Sequence, residues 1–288
     1  MVTYKVINVN SGIIKTRLPD FDYTINPYFG CQFACIYCYA VKYFIIKNIQ
    51  QKWGDYIEVK GNLPNVIKRE LRKVEYGASI GIGVSTDPYQ PAEVKYKLTR
   101  KVLEIIANRE DLEISIQTKS PLVLRDLDIL KKIRRMDVGF TIITLNSQLA
   151  KVLEPYSPLP QARLRALNIL SNSGVETWAF IGPVLPYITD DEDNLREIVR
   201  ACVGAGVKKI YTDNLRFRLG VRNRIINKLR EYFNQNIVEK YRKLSYNELM
   251  LRYKRAVRIV EDEAKKLKVN FMDVSHIPFS GAKYKQLM

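Results

Sequence analysis

Three of the four cysteines fall within eight positions of the stretch NPYFGCQFACIYCYA (26–40), as Cys31, Cys35 and Cys38 in a C-x3-C-x2-C spacing. Cysteines crowded this way in a chain of 288 residues point to metal binding or redox chemistry, because a disulfide framework is the device of small secreted domains. Thiolates so spaced on one loop can each reach a different iron of a cubane cluster, and three ligands leave a fourth iron open to a chelating co-substrate. Gly30, just before them, permits an unusual backbone angle and close approach to a bulky ligand. A structural zinc site is the competing reading. It needs four ligands, usually as two pairs, and the other candidates, Cys202 and His276, are far apart in sequence and unpaired. Cys202 shares a helical face with Leu195, Ile198 and Val199 and reads as core; His276 reads as a loop residue. A single histidine leaves little room for imidazole acid–base chemistry.

Such a loop has to be held by a scaffold, and the rest of the chain supplies one by pattern. β-branched runs alternate with amphipathic stretches: ASIGIGVSTD (78–87), LEISIQTKS (112–120), DVGFTIITLN (137–146), VETWAFIGPVLP (175–186) and VKKIYTDN (207–214) read as strands separated by helices. Counting an opening strand near DYTINPY, this gives about six β/α units, hence parallel strands with right-handed crossovers. Nearly continuous apolar strands suit a sheet covered on both faces. The pattern fits a partial barrel or an open doubly wound sheet, and either gathers ligands at the carboxyl ends of the strands. The polar groups STD, QTKS, TLN and TDN fall there. The expected organisation is a barrel over residues 1–215, with its cysteine loop at 30–39, and a basic helical extension over 216–288 packed on it.

Charge narrows the partners. The chain carries 47 Lys plus Arg against 30 Asp plus Glu, a formal net charge of +17, which attracts phosphate-rich partners by counterion release. Solvated helical faces are the plainer explanation. Arg216, Arg218, Arg222 and Arg224 open the basic extension, with Tyr241 and Tyr253 interleaved further on. No long apolar run and no signal-peptide layout are present, so a cytoplasmic protein without membrane contact is expected.

The cysteine motif, with the aromatic Tyr37 before its last cysteine, resembles the signature of the radical S-adenosylmethionine superfamily. The stretches STDPYQPAE (85–93), TKSPLVLRDLDIL (118–130), TLNSQLAKVLEP (144–155) and IGPVLPYITD (181–190) are similar to its spore photoproduct lyase-like, or "DNA repair photolyase", group. The resemblance implies a partial (β/α)6 TIM-like barrel of parallel strands with additional C-terminal helices. It also implies a 4Fe-4S cluster, S-adenosylmethionine as co-substrate, and an electron donor such as ferredoxin or flavodoxin. Electron transfer into the sulfonium would release methionine and a 5′-deoxyadenosyl radical that abstracts a substrate hydrogen. Carried over to this sequence, Cys31, Cys35 and Cys38 become cluster ligands and Tyr37 the adenine-side contact. Ser85, Thr86 and Asp87 would hold the methionine amino group, and Lys119 with Thr144, and Asn146 close by, its carboxylate. A solvent-facing lysine and ordinary loop caps are the alternatives for these last three. DPYQPAE reads first as a rigid turn set by Pro88 and Pro91 and second as presenting Tyr89 to the substrate at the barrel mouth.

One departure matters. Spore photoproduct lyases carry a hydrogen-donor cysteine near the end of the second strand, and the corresponding GVSTD has none; a tyrosine could return the hydrogen instead. The readings carried forward are radical chemistry on a nucleic acid, the same chemistry on a peptide or small metabolite, and a non-catalytic metal-stabilised nucleic-acid-binding protein.

Overall fold

The computed structural model describes residues 1–275; His276, expected in a loop, lies outside them. The strands are β1 (Thr3–Ile7), β2 (Ile14–Lys15), β3 (Tyr23–Ile25), β4 (Tyr28–Phe29), β5 (Tyr56–Lys60), β6 (Ser79–Ile82), β7 (Glu113–Thr118), β8 (Arg135–Thr141), β9 (Glu176–Val184), β10 (Lys209–Asn214) and β11 (Asn270–Asp273). The helices are α1 (Val41–Ile46), α2 (Leu63–Glu70), α3 (Ala92–Tyr96), α4 (Leu98–Ile106), α5 (Leu127–Leu130), α6 (Ser147–Leu153), α7 (Pro160–Asn172), α8 (Glu192–Gly204), α9 (Val221–Tyr232), α10 (Gln235–Lys243) and α11 (Tyr246–Lys266).

The main sheet has eight strands in the order β11-β10-β9-β8-β7-β6-β3-β2. From β3 to β11 every neighbouring pair is parallel, and only β2 runs antiparallel, against β3. The strands from β3 and β6 to β10 form the partial TIM-like barrel that the alternation implies, its order rising steadily as successive crossovers of one hand require. Two elements exceed that expectation. β11 extends the sheet from within the C-terminal segment, in register Lys209↔Asn270 with β10. A separate three-stranded sheet, β1-β5-β4, carries the chain into the cysteine loop.

The strands show why the barrel has both a core and a cavity. In β7, Ile114 and Ile116 are buried under the helices, while Ser115 and Gln117 alternate with them and face inward. The inward face is closed at its floor: Trp178 lies across Gly139, where a side chain would collide with the indole ring. Its Nε1 donates to Asp137 at 2.8 Å, and Ser115 donates to the same carboxylate at 2.5 Å. Outside, Val102, Leu103 and Ile106 of α4 and Leu195, Ile198, Val199 and Cys202 of α8 form buried stripes. Truncating one such Leu to Ala costs about 2–5 kcal/mol. Cys202 is core, as its spacing implies.

The last helices close the far side of the barrel. Tyr253 of α11 donates its hydroxyl to Asp273 at 2.6 Å, and Glu263 receives Arg196 and Arg200 of α8 at 2.7 and 2.6 Å. Tyr187 sits between cations from two helices, with Arg252 at 3.8 Å and Lys240 at 4.8 Å from its ring centroid.

Candidate active site

The cysteine loop leaves β4 through Gly30, whose φ of +85° favours glycine and where a Cβ would lie 2.5 Å from the Tyr56 carbonyl oxygen. Elements distant in sequence then hold the loop. The Thr86 hydroxyl donates to Gly30 O at 2.5 Å, and Gln90 Nε2 donates to the same oxygen at 3.2 Å. Gln90 Oε1 receives the Gln32 N–H at 2.9 Å, Ile36 N–H reaches Leu153 O at 3.0 Å, and Arg224 donates to Ala34 O at 3.2 Å. Cys31 and Cys35 are buried and Cys38 is half-buried. All three border one cavity of about 550 Å³ at the carboxyl ends of the barrel strands.

Burial pushes the Cys35 thiol up to about 11, and burial also raises Cys31 and Cys38. Grouped thiols that resist ionisation alone are deprotonated when a metal supplies the positive charge, with release of their protons. No three His, Cys, Asp or Glu side chains among the described residues close on a single ion. Three thiols bordering one cavity, with no fourth cysteine and no histidine bordering it among the described residues, suit a group whose irons each take their own thiolate better than a tetrahedral zinc. The residues present therefore fit an iron–sulfur group.

The neighbouring strand ends complete this wall. Ser85, Thr86, Asp87, Lys119 and Tyr37 border the same cavity. Asp87 is buried and ties the second barrel strand to the third, accepting from the Thr118 hydroxyl and the Lys119 N–H, both at 2.7 Å. Burial holds its pKa up, against those hydrogen bonds. Burial opposes the Lys119 ammonium, yet Cys35 and Glu154 outweigh it and raise its pKa. The solvent-facing alternative for Lys119 falls, since its side chain is only 16% exposed.

Several sequence-based placements need correction. Thr144 and Asn146 do not border the cavity; the Thr144 hydroxyl accepts the Asn146 N–H at 3.1 Å, and Asn146 caps α6 by accepting from Gln148 and Leu149 at 3.0 Å. β8 ends at Thr141, three residues earlier, and that hydroxyl does border the cavity and accepts from Gln117 at 3.1 Å. Tyr89 is 1% exposed within the main core and away from the cavity, so the turn reading holds and the mouth placement does not. Tyr241 and Tyr253 are buried, Arg222 is spent on carbonyls of Tyr241 and Leu244 at 3.0 and 3.1 Å, and Arg224 turns to the cysteine loop. Of the basic run, Arg216 and Arg218 border the cavity.

Sequence reasoning missed a buried ion pair beneath the loop. Glu154 and Arg163 are each 1% exposed and form an ion pair. Glu154 also accepts the Tyr37 hydroxyl and stands 3.9 Å from Lys119 Nζ. Burial would raise the Glu154 carboxyl, but Arg163 and Lys119 hold it below its usual range.

A partial parallel barrel with grouped thiols at its carboxyl-end cavity defines a cofactor-dependent barrel enzyme. The comparisons with known proteins specify which: residues 25–199 match the Radical SAM superfamily, and the chain belongs to it. An uncharacterized protein of Methanocaldococcus jannaschii is 36% identical over 249 residues, 86% of this chain and 88% of that one. An uncharacterized protein of Mycobacterium tuberculosis is 29% identical over 227 residues, 75% of this chain and 66% of that one. In fold, the chain is similar to spore photoproduct lyase complexed with dinucleoside spore photoproduct, with a TM-score of 0.71 at 15% identity over 94% of this chain and 81% of that one. It is also similar to Streptococcus suis SuiB bound to S-adenosylmethionine, with a TM-score of 0.58 at 14% identity over 88% of this chain and 50% of that one. Membership makes the protein an enzyme and implies an iron–sulfur cluster, S-adenosylmethionine and a source of electrons, which removes the non-catalytic reading. No helix among the described residues is long and apolar enough to cross a membrane.

Proposed function

We propose that the protein is a radical S-adenosylmethionine enzyme acting on a nucleic acid, with a 4Fe-4S cluster held by Cys31, Cys35 and Cys38. Bound there, the cluster would relay an electron from an external donor for the cleavage of S-adenosylmethionine to methionine and a 5′-deoxyadenosyl radical able to abstract a substrate hydrogen. The chain's own contribution is positioning and exclusion of water. Tyr37 backs the adenine side. Ser85 and Asp87 offer oxygens to the methionine amino group, since a carboxylate already accepting three hydrogen bonds, from Tyr89 N–H, the Thr118 hydroxyl and Lys119 N–H, retains a lone pair. Lys119 pairs with the methionine carboxylate, and Thr141 takes the place expected for Thr144.

The observation that carries the cofactor reading is that one cavity is bordered by all three thiols and by Ser85, Asp87 and Lys119. For the substrate, support comes from other residues of the same cavity, which include Arg17, Arg216 and Arg218 and the aromatic rings of Phe21 and Phe180. Cations beside flat rings suit phosphates and bases together. The lyase-like fold adds to this reading, but GVSTD lacks the hydrogen-donor cysteine expected in true spore photoproduct lyases, so repair of that lesion is not part of the proposal. The test is to incubate the reduced enzyme with separate DNA, RNA, peptide and metabolite fractions and follow 5′-deoxyadenosine and new products. Stimulation and a modified nucleoside in a nucleic-acid fraction are expected; stimulation by peptides or metabolites alone would replace the nucleic acid with those substrates.

A further inference from the structure

Beneath the cysteine loop, one carboxylate joins the loop to the end of β7 and, through its ion-pair partner, to the end of β8. Glu154 follows the end of α6. It accepts the hydroxyl of Tyr37, which lies between two cysteines of the loop, and stands 3.9 Å from the Lys119 ammonium at the end of β7. Its ion-pair partner Arg163 is fixed in turn, donating to Thr141 O at the end of β8 at 2.9 Å and to Pro158 O at 2.8 Å. The backbone follows the same connection, since Ile36 N–H donates to Leu153 O at 3.0 Å, one residue before Glu154. A buried pair of this kind is weak evidence for stability, because apolar side chains of similar volume usually serve as well. Its value lies in geometry. The ends of β7 and β8 and the cysteine loop are referred to one fixed charge.

We propose that Glu154 is a positioning residue: its carboxylate holds the Lys119 ammonium toward the cavity at a set distance from the cysteine loop, and so governs affinity for the carboxylate of S-adenosylmethionine. This rests on the reading of Lys119 given above. Lys119 is held at both ends, its N–H by Asp87 at 2.7 Å and its ammonium by Glu154. Without Glu154, the unneutralised Arg163 faces a second cation, and like charges in a buried site drive the flexible lysine away.

The test compares equilibrium binding of S-adenosylmethionine and of decarboxylated S-adenosylmethionine, which lacks only the carboxylate, to reconstituted wild type and to Glu154→Gln. A charged hydrogen bond of ordinary strength corresponds to a roughly tenfold preference. Glu154→Gln is expected to weaken S-adenosylmethionine about tenfold, to leave the decarboxylated ligand within about twofold, and to retain its iron. Because Glu154→Gln leaves Arg163 buried without a counterion, the double variant Glu154→Gln/Arg163→Met guards against a failure to fold; in it Lys119 loses its anchor without meeting a second cation, so the selective loss should keep its direction and be smaller. Equal weakening of both ligands, or no weakening of either, overturns the proposal. If wild type itself binds the two ligands alike, or Lys119→Met changes neither, the Lys119 reading fails first and this inference with it.

Discussion

Two groups of residues bordering the cavity are built on different principles. On the cysteine side almost every polar group is already committed within the protein: Thr86 to Gly30, Asp87 to Thr118 and Lys119, Tyr37 to Glu154. Glu154 and Arg163 there have side-chain exposures of 0% and 1%. In the second group the Arg216–Asp213 pair is 26% and 21% exposed, and the rings of Phe21 and Phe180 border the same cavity. Water screens the second pair far more than the first. A side that must present one cofactor in one pose gains from fixed dipoles in place before binding, whereas a side that receives a large charged partner gains from accessible cations. Under the proposed function, the first group would serve the reaction's common chemistry and the second its substrate choice.

The sharpest way to break the contrast is at Gly30. Alanine there meets both the positive φ and the Tyr56 carbonyl 2.5 Å away, so Gly30→Ala is expected to cost about 2–4 kcal/mol and much of the bound iron, read by melting temperature and iron per chain. A smaller effect is expected in the second group: Arg218→Gln should reduce the slope of oligonucleotide affinity against log salt by about 1 while leaving S-adenosylmethionine affinity unchanged. An unchanged slope, or a loss for both ligands, would remove the division between the two groups. Smaller again is a pH effect on the cluster-free protein. Burial raises Cys35 from an ordinary value of 9 to about 11, so the folded chain retains a proton that the unfolded chain has lost. Stability is then present below pH 9 and declines as pH rises toward 11, and Cys35→Ser should flatten that decline in melting temperature. Least of all, Tyr89→Phe should leave turnover unchanged, because the ring is buried in the core away from the cavity.

The first group was readable where its chemistry is local. Cys31, Cys35, Cys38 and Gly30 lie on one loop; β/α alternation places the groups from Ser85 to Asp87 and Lys119 at strand ends, and the resemblance supplies the roles expected of them. What escaped depends on contacts between distant segments. Glu154 and Arg163 look like ordinary helix-end and helix-surface residues, and only folding brings them under Tyr37, more than a hundred positions away. Thr144 is the residue the resemblance matches when the strand is read through 137–146, because apolar residues continue past Thr141 and periodicity does not mark where pairing stops. β11, at four residues, is too short for periodicity to reveal. Tyr89 shows the same difficulty from the other side, since an aromatic between prolines has no local sign of which way it points.

The most direct test of the central claim is anaerobic reconstitution with iron and sulfide, reduction, and measurement of 5′-deoxyadenosine formed from S-adenosylmethionine by wild type and by Cys35→Ala. Wild type should bind iron and release 5′-deoxyadenosine, and the variant should lose that activity. Normal turnover by Cys35→Ala, or a wild type that takes up zinc tightly and no iron, would contradict the account.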